Sequence, residues 1–99
     1  MERRSLSITT PARKDLHSIR RYSTRMWGHN QSETYISQLL SAAETLCDFP
    51  ERGWPVGNEP PNVRRVTAEY HIIYYRVLAT EIEIIRILHQ RMETPALLG

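Results

Sequence analysis

Two runs decide the fold: Tyr70-His71-Ile72-Ile73-Tyr74-Tyr75-Arg76-Val77 and, three residues on, Glu81-Ile82-Glu83-Ile84-Ile85-Arg86-Ile87-Leu88-His89. β-branched and aromatic residues dominate both, and the short connection Leu78-Ala79-Thr80 makes them antiparallel neighbours. Each is largely apolar on both of its alternation faces, with Arg86 the main exception in the second. Such strands belong in the interior of a sheet with cover on two sides. A further short strand over residues 63–67 precedes them, across a tight connection near Ala68-Glu69.

Working back toward the N-terminus, the periodicity changes from two to 3.6. Asp48-Phe49-Pro50 stops a helix whose apolar face is Tyr35, Ile36, Leu39, Leu40, Ala43, Leu46 and Cys47. Asn30-Gln31-Ser32-Glu33 reads as its N-cap, with Glu33 placed to close a capping box. An earlier helix starts at Thr10-Pro11, with Thr10 as N-cap and Pro11 in the first position, where a missing N–H costs nothing. Its apolar face is Ala12, Leu16, Ile19, Ser23, Met26 and Trp27, and Gly28 closes it. Lys14, Arg21 and Arg25 form a basic stripe on the outside. So short a connection makes the two helices antiparallel neighbours. Residues 4–9 alternate weakly through Leu6 and Ile8 and form a first strand. Residues 50–61, with four prolines and two glycines, form a turn-rich loop that Trp54 is expected to pin to the core.

The order β-α-α-β-β-β gives an α+β fold: an N-terminal strand and an antiparallel helical hairpin packed on a small, mainly antiparallel sheet. The hairpin covers one face of the sheet, so a partner protein is expected on the other. The 99 residues, 40% hydrophobic and 24% charged, are expected to form one domain spanning 1–99. No apolar stretch is long enough to span a membrane, and the opening residues turn polar too soon for a signal peptide. Cys47 has no partner for an internal disulfide and reads as a small core residue of a cytoplasmic protein. No Cys/His spacing suggests a metal, and no cofactor is expected.

The net charge of +2 hides an asymmetry. Seven basic residues stand in positions 1–25 against Glu2 and Asp15, whereas residues 29–62 carry five acids against Arg52. All basic residues but Lys14 are arginines, the side chain of bidentate carboxylate and phosphate recognition. There is no phosphate loop and no nucleophile elbow. Glu81 and Glu83 share a strand face as a solvated pair. One constellation remains: Arg64-Arg65, His71 and His89-Gln90-Arg91, which the ends of antiparallel strands could bring together. Arginines with an imidazole could bind a phosphodiester and move its proton. The same groups could equally be structural, with Arg65 and Arg86 paired to acids and His89 capping a strand end.

The chain resembles the ParE toxins of the RelE/ParE superfamily of type II toxin–antitoxin systems. The resemblance runs nearly end to end, through Thr10-Pro11-Ala12-Arg13-Lys14-Asp15-Leu16, Trp27-Gly28, Tyr35 with Leu39, Pro50 and Gly53. It continues through Val63-Arg64-Arg65, residues 70–77 and residues 84–92. It implies a toxin that inhibits DNA gyrase, does not act as an enzyme, binds no nucleic acid sequence-specifically, and is neutralised in a hetero-oligomer with a ParD-type antitoxin. Target binding is then expected at His89, Gln90, Arg91 and Met92. Antitoxin binding is expected at Arg21, Tyr22, Arg25, Trp27 and Tyr35, against an acidic tail that folds on binding. The superfamily's other activity, mRNA cleavage on the ribosome, would use Arg65, His89 and Arg91 here. The C-terminal tyrosine and the lysine pair of those nucleases have no counterpart in this chain.

Overall fold

The computed structural model describes residues 3–57 and 62–91. Its elements are β1 (Ser5–Ile8), α1 (Thr10–Trp27), α2 (His29–Asp48), β2 (Trp54–Pro55), β3 (Val63–Ala68), β4 (His71–Val77) and β5 (Glu81–His89). The five strands form one mixed sheet in the order β1-β5-β4-β3-β2. β1 runs parallel to β5, pairing Leu6 with Ile82 and Ile8 with Ile84. The remaining neighbours are antiparallel. The two strands with apolar residues on both faces are thus interior strands, as their composition requires.

The hairpin covers one face. Ala12 from α1 and Tyr35, Leu39, Ala43, Leu46 and Cys47 from α2 pack against Ala68, Ile73, Tyr75, Ile82, Ile84 and Ile87. On the opposite face, given by strand alternation, Val63, Tyr74 and Leu88 are also buried, all within this chain. The expectation that this face waits for a partner is therefore corrected: its central side chains have cover already.

The cap of α1 lies one residue earlier than expected. Thr9, not Thr10, is the N-cap, and its Oγ1 accepts the Ala12 N–H at 3.2 Å. The reason is tertiary. The same hydroxyl donates to the Ile85 carbonyl at 2.9 Å, and the Thr9 N–H donates to the Ile84 carbonyl at 3.1 Å. Those carbonyls sit beside a bulge in β5, where the pairing with β4 shifts between Tyr74 and Tyr75.

The start of α2 is corrected likewise. It begins at His29, directly after Gly28, with no side-chain cap. Gly28, at φ 90°, closes α1 and opens α2 in a single residue, a backbone state that favours glycine. Glu33 is drawn away from any capping box into an ion pair with Arg20 of α1, at 3.0 Å. Nearby, buried Ser23 and Ser32 meet hydroxyl to hydroxyl at 2.7 Å, which lets the helices approach closely.

Trp54 does not pin its loop to the core; it is 76% exposed. Tyr75 holds the loop instead. Its hydroxyl donates to the Pro50 carbonyl at 2.8 Å and accepts the Gly53 N–H at 3.0 Å. Arg64 Nε adds a bond to the Gly53 carbonyl at 3.0 Å. Met26, assigned to the apolar face of α1, is 56% exposed as well.

Candidate functional site

Where the linked end of the hairpin meets the start of β4 and the end of β5, the packing leaves a cleft of about 620 Å³. One wall comes from α1 (Asp15, Ile19, Tyr22, Trp27), and Tyr35 of α2 stands beside Tyr70, His71 and His89 of the sheet. The rings form a continuous series. Tyr22 meets Trp27 edge-on at 6.4 Å, Trp27 meets Tyr35 at 6.0 Å, Tyr35 meets His71 at 5.6 Å, and His71 meets His89 at 5.4 Å. Two features of the sequence create this series. The β4–β5 register places His71 directly opposite His89, and the one-residue link at Gly28 folds Trp27 back toward Tyr35.

Hydrogen bonds fix the protons at the base of the cleft. The Tyr70 N–H donates to the Tyr35 hydroxyl at 3.1 Å, and that hydroxyl shares a hydrogen bond with His71 Nδ1 at 2.7 Å. With the Tyr35 hydroxyl as donor, the neutral His71 ring carries its proton on Nε2. His89 Nδ1 accepts the Arg91 N–H at 3.1 Å, which leaves its Nε2 protonated too. Burial, reinforced by the neighbouring His89 and partly opposed by Asp15, lowers the His71 pKa to about 4. Burial raises that of Tyr35.

Beside the histidines lies a neutralised pair. Asp15 accepts from Arg86 Nε at 2.8 Å, from the second guanidinium nitrogen at 3.0 Å, and from the Ile87 N–H at 2.9 Å. The bulge in β5 turns that N–H toward α1, and Asp15 supplies the acceptor. These bonds raise the Arg86 pKa, so the guanidinium stays charged and its charge is matched.

Tyr22, Trp27 and Tyr35, expected to bind an antitoxin, and His89, expected to bind the target, are thus brought to one cleft. Tyr22 and Trp27 stand 55% and 44% exposed, while Tyr35 is buried. Arg21 and Arg25 lie on the outer side of α1 in a shallow groove with Ser18, Arg20 and Thr24. Neither makes an ion pair or hydrogen bond among the described residues, whereas Arg20 is taken by Glu33. Gln90 follows β5, its N–H bonded to the Tyr70 carbonyl at 3.0 Å, and Arg91 is exposed. Met92 lies outside the described residues.

The constellation drawn from the strand ends comes together only in part. His71 and His89 meet. Arg65 does not join them: it pairs in register with Tyr74, on the face opposite the helices, while His71 and His89 face the hairpin. Arg64 lies on the hairpin side but is engaged with the loop carbonyls of Glu51 and Gly53. Among the described residues, no group of three or more His, Cys, Asp or Glu side chains could hold a metal ion. No helix is long and apolar enough to cross a membrane among those residues. Sequence reasoning missed the roles of Asp15 and Tyr70. Asp15 is the lone acid of α1, and Tyr70 stands next to a histidine at a strand start. Those were the available signals.

Comparison with known proteins agrees with the resemblance seen in the sequence. The family described as the ParE toxin of type II toxin–antitoxin system, parDE, matches residues 6–94. Toxin ParE1 of Caulobacter vibrioides is 38% identical over 92 residues, covering 93% of this chain and 95% of that protein. Among solved structures, a chain of the chromosomal ParDE toxin–antitoxin system from P. aeruginosa superposes with a TM-score of 0.75 at 26% identity. It covers 87% of this chain and 95% of its own. A chain of the RelBE2 toxin–antitoxin complex from Mycobacterium tuberculosis has a TM-score of 0.68 at 22% identity, covering 90% of this chain and 100% of that one, a likeness of fold.

Proposed function

The chain belongs to the ParE toxin family of type II toxin–antitoxin systems, and from that premise we propose that it inhibits DNA gyrase in the cytoplasm and is neutralised by a ParD-type antitoxin seated on the aromatic cleft. The observation that carries this reading is the ring series from Tyr22 to His89, with Arg21 and Arg25, unpaired among the described residues, beside it. Exposed Tyr and Trp next to arginine is the composition of a protein-binding hot spot. An acidic partner tail could lay apolar side chains against Tyr22 and Trp27 while its carboxylates meet Arg21 and Arg25.

The same geometry gives neutralisation a simple form. Target binding is assigned to the segment His89, Gln90, Arg91 and Met92, and His89 forms one end of the cleft. A tail lying across Trp27 and Tyr35 would cover His89, so antitoxin and gyrase would exclude one another. Binding rather than catalysis is favoured because nuclease chemistry would need Arg65 near His89 and Arg91. The strand register puts Arg65 and His89 on opposite faces of the sheet. A phosphate held on one face gains nothing from a proton donor on the other.

The test is a gyrase cleavage assay with purified components, run beside primer extension on transcripts from cells expressing the toxin. Accumulated gyrase–DNA cleavage with intact transcripts is the expected result. Transcripts cut within codons, with gyrase unaffected, would assign the chain to ribosome-dependent RNA cleavage instead.

A further inference from the structure

We propose that the His71–His89 pair is a carboxylate subsite of the cleft, taking an acidic side chain of the partner's tail that lies next to an aromatic or aliphatic anchor. The inference rests on the cleft being the partner's seat and specifies which chemistry of the partner it reads.

The argument starts from the protons. The Arg91 N–H commits His89 Nδ1 as an acceptor, and a relay from Tyr70 N–H through the Tyr35 hydroxyl, with that hydroxyl as donor, does the same for His71 Nδ1. Both imidazoles therefore hold their remaining proton on Nε2. Neither Nε2 has a partner among the described residues. Neither is sealed away, since no side-chain nitrogen or oxygen of the described residues is both buried and unbonded. Two N–H donors are thus unpaired among the described residues and not fully buried, on rings that line the cleft with centroids 5.4 Å apart.

Several other polar groups of the cleft are already engaged. The Asp15 carboxylate is filled by Arg86 and the Ile87 N–H. Ser23 is bonded to Ser32 and to the Ile19 carbonyl, and the Tyr35 hydroxyl is bonded on both sides. What remains is donor character within an aromatic wall: two Nε2–H groups, the hydroxyls of Ser18, Tyr22 and Tyr70, and a nearby field from Arg21 and Arg25. An acceptor that carries negative charge suits such a site better than a neutral amide carbonyl, and a cation does not suit it at all. The adjoining faces of Tyr22 and Trp27 add the apolar requirement, which a free dicarboxylate does not meet.

A carboxylate seated there also favours the charged form of His71. Burial and the neighbouring His89 disfavour that form of His71 in the free protein, and a bound anion offsets both. The groups facing the pair are Asp15, Tyr22 and Arg86 beside Tyr35 and Tyr70, and among them only Asp15 is an acid, already matched by Arg86. Binding should therefore tighten as pH falls.

The experiment titrates the isotope-labelled full chain with acetyl-Trp-Glu-Leu-amide, with acetyl-Trp-Gln-Leu-amide and with glutarate, following ring resonances of His71 and His89 by NMR. We expect the Glu peptide to bind at least about tenfold more tightly than the Gln peptide at pH 6, with its advantage shrinking toward pH 8. The advantage should be lost in His89→Asn, whose ring is only half-buried, and in His71→Phe. Equal affinity of the two peptides, no response at the histidine rings, or an advantage that survives in both variants would overturn the subsite. Glutarate binding as tightly as the Glu peptide would overturn the partner's tail as its occupant. The titration contains no gyrase, so a protein that fails to inhibit gyrase could still pass it.

Discussion

Asp15 grips Arg86 through two guanidinium nitrogens at 2.8 and 3.0 Å and accepts the Ile87 N–H at 2.9 Å, tying the middle of α1 to the bulge in β5. The side chains are only 13% and 23% exposed, so solvent replaces neither partner cheaply. Asp15→Ala leaves a half-buried cation and an unsatisfied backbone donor. It should destabilise the chain by roughly 2–4 kcal/mol, measured by urea unfolding. Arg86→Met strands the still less exposed Asp15 carboxylate with only the Ile87 N–H for a partner, so it should cost a similar amount.

Gly53 supplies a second stability test. A Cβ there would come within 2.5 Å of the Arg65 carbonyl oxygen and 2.7 Å of the Tyr75 hydroxyl. Gly53→Ala must push the loop off β3, at a cost of about 1–3 kcal/mol. Tyr75→Phe removes the hydroxyl that anchors Pro50 and Gly53 and should raise amide exchange in residues 50–57, with the β4–β5 ladder still protected. Uniform loss of protection would contradict this division.

The His71 pKa of about 4 makes stability depend on pH in a definite direction. An unfolded histidine titrates near its ordinary value of about 6.5. Between that value and about 4, the unfolded chain binds a proton that the folded chain does not. Folding stability from this group is therefore full above about pH 6.5 and is lost as pH falls toward 4. The urea midpoint should drop across that window in the wild type. His71→Gln should flatten this part of the profile, whatever its effect at neutral pH.

Trp27 separates binding from folding. It is 44% exposed and touches Tyr22 and Tyr35 by its ring alone. Trp27→Ala should change stability by under about 1 kcal/mol. It should weaken antitoxin binding by about 2 kcal/mol, some thirtyfold. Calorimetric titration of the variant with the antitoxin checks the second figure, and thermal unfolding checks the first.

What the sequence disclosed follows physical range. The strand Glu81–His89 was readable to the residue, because a two-faced apolar run bounded by turn residues has one good solution. The helices were readable from their period, but their starts were not. Thr9 caps α1 because carbonyls 75 or more residues away in β5 recruit it, and Glu33 leaves the cap of α2 for Arg20. Local signatures carry no information about such partners. The two-residue β2 escaped because it holds a proline and pairs over only Trp54 and Pro55. Trp54 was misjudged because its size suggested burial, whereas Tyr75 anchors the loop with one hydroxyl. At the site, the meeting of His71 and His89 could be drawn from strand ends. The separation of Arg65 from them needed the register of β3 against β4, which a two-residue turn at Glu69 (φ 56°) and Tyr70 sets.

The most direct test of the central claim is the supercoiling activity of purified DNA gyrase with this chain added, first alone and then after preincubation with the ParD-type antitoxin. The account predicts loss of supercoiling with the chain alone, and its return once the antitoxin covers the cleft from Tyr22 to His89. Undiminished supercoiling at every concentration of a folded chain would contradict it.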